Sequence, residues 1–136
     1  MKNILIAGIA MLIVGFLAGF APEHSKISRA NQEAQVLKDQ LDACKRAEAI
    51  GSFRNRAALL YVDASRNNFS IAGEKASKDF TAIRVFANQT SDANLKQSLE
   101  DVLSSRDAII AGLAKADPAV TATIQEMFMK LQKLQP

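Results

Sequence analysis

The strongest constraint on this chain is an uncharged stretch near its start, ILIAGIAMLIVGFLAGFA, residues 4–21. Wound into a helix, these 18 residues would reach about 27 Å at about 1.5 Å per residue, close to the roughly 30 Å of a bilayer's hydrocarbon core. A secretory apolar region is shorter, about 7–15 residues, and ends at a small-x-small cleavage site. The one fair match is Gly19-Phe20-Ala21, which would leave Pro22 just after the cut. The fixed φ and missing N–H of proline suit an extended peptidase substrate poorly. No cysteine follows the apolar run, so a lipoprotein box is absent as well. Residues 1–22 therefore read as an uncleaved, single-pass signal-anchor, the rival being a cleaved leader and a secreted helical domain.

The basic residues around the run do not settle its orientation, with Lys2 before it and Lys26, Arg29 and Lys38 after it. A short head and a long C-terminal part, which translocates largely regardless of charge, place the bulk of the chain outside the cytoplasm. In a bacterium that is the periplasm. Gly15 and Gly19 form a GxxxG pair, with Gly8 one heptad earlier on the same stripe. Small residues at this spacing let two membrane helices approach closely, although glycine is also common in such helices.

After Pro22 the pattern changes. Ile27, Ala30, Ala34, Leu37, Leu41 and Cys44 alternate spacings of three and four, with Lys, Arg, Gln, Asn, Glu and Asp between them. This is the seam of a coiled coil with solvated flanks, so residues 23–50 read as an oligomerising stalk. About three heptads with three small seam residues are marginal in isolation, and tethering to a bilayer would raise the local concentration. Projected back through Phe20, Phe16 and Ile13, the seam falls one residue out of phase with the glycine stripe. Either Pro22 resets the helix or only one of the two cues is used; more residues agree on the coil.

The seam falters at Ile50 and Gly51, where a boundary is expected. Residues 51–136 then carry four amphipathic patterns. Phe53, Ala57, Leu60 and Ala64 form the first, flanked by Leu59 and Tyr61; Ala72, Ala76, Phe80, Ile83 and Ala87 form the second, widened by Phe86. A third runs from Leu95 to Leu113, capped by Ser91 or Asp92, and a fourth from Val120 to Leu134, opened by Asp117 as N-cap and Pro118 at the first helical position. Asn67, Asn68 and Ser70 supply the turn between the first two. No stretch alternates convincingly at period two. The expected fold is all-α: one N-terminal transmembrane helix, a coiled-coil stalk, and an up-down antiparallel bundle of about four helices.

Charge and motif content narrow the function. The formal charge is +3, from 17 basic and 14 acidic residues, and the signs alternate along the chain. With seven Phe, one Tyr and no Trp, mostly at core spacing, there is no basic face with stacking aromatics, which argues against nucleic acid as a partner. His24, the only histidine, sits at the expected membrane interface, a poor place for a general base or a haem ligand. No glutamate has a histidine three residues on, and phosphate-loop, dinucleotide, nucleophile-elbow and zinc-protease motifs are absent. An enzyme is not expected, nor a cofactor or metal.

Two residues stand out singly. Cys44 lies on the seam, where a thiol usually serves as a small apolar group; in a parallel dimer it would face its symmetry mate. Arg106 falls on the apolar stripe of the third pattern, either snorkelling to the rim or forming a candidate buried ion pair with Asp63 or Asp79. The stretch NNFSIAGEKASKDFTAIRVFA, with Phe69 followed by Ala72, resembles the latter part of a tetratricopeptide unit over about 20 residues. The first-helix Trp and Gly pattern of that family is missing and no second copy appears near a 34-residue period, so peptide binding does not carry over.

The function expected is that of a membrane-anchored, non-enzymatic envelope protein: a scaffold, spacer or interaction module that forms a homo-oligomer and binds an unknown protein partner. The rival from another class is a ligand-sensing helical bundle working with a partner subunit.

Overall fold

A computed structural model describes the backbone of residues 2–135 and, at side-chain level, residues 8, 11 and 27–135. Among the described residues all regular structure is helical, in five segments: α1 (Lys2–Ser65), α2 (Phe69–Gln89), α3 (Ala93–Leu103), α4 (Arg106–Ala114) and α5 (Val120–Lys133). The chain divides into two compact units, residues 1–42 and 43–136.

The second unit is a helical bundle. Its part of α1 lies antiparallel to α2, since partners on α2 fall in number as those on α1 rise: Phe53 meets Phe86 edge to face at 5.6 Å, Arg56 pairs with Asp79, and Asp63 pairs with Lys75. The α2 helix also packs on α3 and α4, and α5 packs on the same two. The apolar stripes expected from the sequence converge on one core, in which Phe80, Ile50, Leu60, Leu99, Ile109, Ile124 and Leu131 are the largest fully buried side chains. None of the buried side chains is polar or charged among the described residues.

Local chemistry sets the ends. Asn67 takes up a left-handed conformation (φ 61°) after α1, which asparagine tolerates better than most residues. Asp92 caps α3, its carboxylate accepting from the N–H of Asn94 at 2.9 Å and of Leu95 at 3.0 Å. Asp117 accepts from the N–H of Ala119 at 2.9 Å in the turn before α5, but the helix itself starts at Val120, with Ala119 at its N-cap and no side-chain cap bond, two residues later than the expected start at Pro118. Ala116 is left-handed (φ 51°) where α4 closes with the N–H of Asp117 reaching back to the carbonyl of Gly112. Glycine would be the usual residue there.

One further expectation is corrected. The third helix is broken into α3 and α4 at Ser104 and Ser105, whose hydroxyls donate back to the carbonyls of Asp101 and Val102, each at 2.7 Å. Such back-bonding competes with the helical ladder. At Gly51 α1 runs on unbroken, and the second compact unit starts at Ala43. Gly51 is exposed, with nothing within 4 Å of where a Cβ would sit, and one exposed glycine costs a helix only about 1 kcal/mol. The expected anchor, with Gly15 and Gly19, lies outside the residues described at side-chain level. Gly8 is exposed with open space around it. Among the described residues no helix is long and apolar enough to cross a membrane.

Candidate functional site

In the first unit, the part of α1 described from residue 27 onward is bare. From residue 27 to 41 every residue is exposed, including the seam: Ile27 at 59%, Leu37 at 65% and Leu41 at 53% of their accessible surface, with Ala30 and Ala34 between them. Cys44, the last seam residue, is a free, exposed thiol. Scattered exposed apolar residues are ordinary on a protein surface. Here they recur at alternating spacings of three and four along one helix, which makes a stripe that a second helix could cover. Away from the seam the surface is mostly polar, with the Gln35 amide donating to Asp39 at 2.9 Å one turn away, although Val36, off the seam, is also 54% exposed.

The bundle also exposes large apolar side chains, Leu59, Val62, Ile71, Val85 and Met129, but they are spread over α1, α2 and α5. Phe53, Ala57, Leu60, Phe80, Ile83, Met127 and Leu131, with Asp79 at the edge, line an interior cavity of about 10 Å³. That is scarcely room for one water. Burial pushes the Asp79 carboxyl above its ordinary range, against the opposing pull of the Arg56 guanidinium and, more weakly, of Lys75. An open groove of about 500 Å³ between α3 and α5 is lined by Gln97, Ser98, Asp101, Lys130, Lys133 and Leu134, with Lys130 held 3.3 Å from Asp101. On the exposed face of α2, Lys78 and Glu74 form an i, i+4 pair that raises the lysine and lowers the glutamate.

Of the two readings of Arg106, the structure shows the one at the rim. It is half exposed and lies 3.2 Å from Asp107 of its own helix, while Asp63 and Asp79 are taken by Lys75 and Arg56. No buried ion pair forms, because the residue sits at the first turn of α4, where the broken helix turns it to the rim. The arginine that does join distant segments is Arg54. Its Nε donates to the carbonyl of Leu131 at 3.0 Å, and its Nη2 donates to the carbonyls of Gln132 and Leu134. A cation on the last carbonyls of α5 satisfies acceptors that the helix end leaves open. Only its position next to Phe53 hinted at this role, since an arginine flanking a core residue reads equally well as solvated.

Among the described residues, no group of three or more His, Cys, Asp or Glu side chains is placed to hold a metal ion. The chain matches no protein-family model, and neither a curated protein nor a solved structure is significantly similar to it.

Proposed function

We propose that this chain is a membrane-anchored, non-enzymatic scaffold or spacer of the cell envelope. Residues 4–21 form its single-pass anchor, the exposed stretch of α1 is its oligomerising stalk, and the bundle is the body it holds outside the cytoplasm and presents to a protein partner. The observation that carries this reading is the contrast in apolar cover: Ile27, Leu37 and Leu41 stand uncovered, whereas the same residue types at Ile50 and Leu60 are fully enclosed. An apolar stripe without an internal partner is a surface for association. The pocket described inside the bundle holds about 10 Å³, whereas small-ligand sites are cavities of hundreds of cubic ångströms, which favours this reading over a sensor that takes a ligand in beside Phe80.

The test is fractionation of cells making the full chain. The protein should stay with membranes through an alkaline carbonate wash, and protease added outside the cytoplasmic membrane should reach the bundle. Release into the wash, or a mature N-terminus near Pro22, would refute the anchor.

A further inference from the structure

We propose that the occupant of the bare α1 stripe is a second copy of this chain, laid parallel and in register as a two-stranded coil. This deepens the scaffold reading and rests on it. With Ile27, Ala34 and Leu41 at the a positions and Ala30, Leu37 and Cys44 at d, the residues flanking the seam are Glu33 and Gln40 on one side and Asn31, Lys38 and Lys45 on the other. In a parallel pair the first flank of each helix faces the second flank of its mate five residues further on. Glu33 then meets Lys38 of the second copy, twice by symmetry. A fully overlapping antiparallel pair would set Glu33 against Gln40 and Lys38 against Asn31, with no opposite charges together.

The structure leaves these two charges available. Neither Glu33 nor Lys38 takes part in an ion pair within the chain among the described residues, and both are exposed beside the seam. The intrahelical bond of this stretch, Gln35 to Asp39, lies on the face turned away from it. Such a coil is short, so it forms where the anchor confines both copies to one surface and raises their effective concentration. Its charges choose the partner and the orientation, and its apolar seam supplies the adhesion.

The test uses the full chain in phospholipid vesicles and two cysteine reporters. One is native Cys44; the other is Ala30→Cys in a Cys44→Ala background. Both positions are exposed in the single chain, so neither change disturbs the bundle core. The reporters lie 14 residues apart (44 − 30), about 21 Å along a helix. Self-disulfides under a copper-phenanthroline oxidant need Cα atoms about 4–7 Å apart, so both can form efficiently only in a parallel, in-register pair. Both should crosslink. Glu33→Lys should weaken dimerisation roughly tenfold by turning two attractions into two repulsions, and adding Lys38→Glu should restore it.

Self-association detected by a lysine-reactive crosslinker with only one reporter closing, or none, would overturn the parallel register while leaving a self-assembling scaffold intact. A membrane-retained chain that stays monomeric would overturn the dimer alone. Failure of the double reversal to rescue would remove the charges from the explanation. Loss of membrane retention would instead strike the anchor reading on which the proposal rests.

Discussion

Two stretches of α1 share one secondary structure and nearly one vocabulary of side chains, yet they end in opposite environments. Residues 27–41 step through isoleucine, alanine and leucine by threes and fours and bury none of them. Residues 50–64 step through Ile50, Phe53, Ala57, Leu60 and Ala64 in the same rhythm and bury all of them. Periodicity therefore marks which face of a helix seeks cover, and it is silent about where the cover comes from. In the bundle it comes from α2 and α5 of the same chain. Residues 27–41 find no such cover among the described residues, and that shortage is the physical basis of the association proposed above.

The sharpest way to break this comparison is to truncate one large apolar residue in each stretch of cover. Phe80→Ala, in the middle of the bundle core, should lower unfolding stability by about 3–5 kcal/mol, read as a large drop in thermal midpoint. Leu37→Ala should leave the bundle midpoint within about 0.5 kcal/mol, while reducing self-association in vesicles. A comparable loss of bundle stability from Leu37→Ala would show that the stalk is already covered within the chain.

A smaller effect comes from two helical glycines in the bundle. At Gly112 an added Cβ would lie 2.7 Å from Val120 Cγ2 and 2.8 Å from its Cβ, closer than real contacts allow. Val120 is buried and cannot easily yield. Gly112→Ala should therefore destabilise by about 1–3 kcal/mol through overpacking. Gly51→Ala meets nothing and should stabilise by about 0.5–1 kcal/mol, because alanine gives up less backbone freedom in a helix. Chemical denaturation of the two variants measures both. A loss at Gly51 would mean that this exposed face of α1 is occupied after all.

How much was legible follows from where each signal lives. The apolar stripes of α2 and α5 were readable residue by residue, since Ala72, Ala76, Phe80, Ile83 and Ala87, like Val120, Ile124, Met127, Leu131 and Leu134, are buried as their spacing implies. The Asp92 cap was readable because capping is a local bond between a side chain and its own backbone, whereas Asp117 bonds only within the turn ahead of α5, whose N-cap is Ala119. The break at Ser104-Ser105 was missed because its apolar spacing runs on across the turn, and only the serine hydroxyls betray it. Gly51 does not interrupt α1, because it sits in an exposed position with open space around it that tolerates a glycine. The partners of Arg54 and Arg106 were not readable for one reason, that a cation's partner depends on tertiary approach. Arg106 ends beside its neighbour Asp107, and Arg54 ends on carbonyls 77 to 80 residues away.

The smallest expected effect separates the two regions by charge burial. Glu33 and Asp39 of the stalk are exposed, whereas Asp79 is largely enclosed, with 18% of its side chain accessible. Burial raises its pKa above the ordinary 3.8, more than Arg56 lowers it. The native state thus holds this proton more tightly than the unfolded chain does. Stability contributed by the group is full below the ordinary value and falls as pH rises through the raised one, because the folded form binds more protons across that window. Asp79→Asn should abolish that slope and leave the bundle slightly more stable at neutral pH, by roughly 0.5 kcal/mol, since the partner it strands, Arg56, is 48% exposed and readily solvated. The exposed Glu74, lowered by Lys78, tilts the curve the opposite way, so the quantity to measure is the difference between parent and variant across the acid range. A variant less stable at neutral pH would show that the Arg56 pair outweighs the cost of enclosure, and that the bundle spends charge as freely in its interior as the stalk does in water.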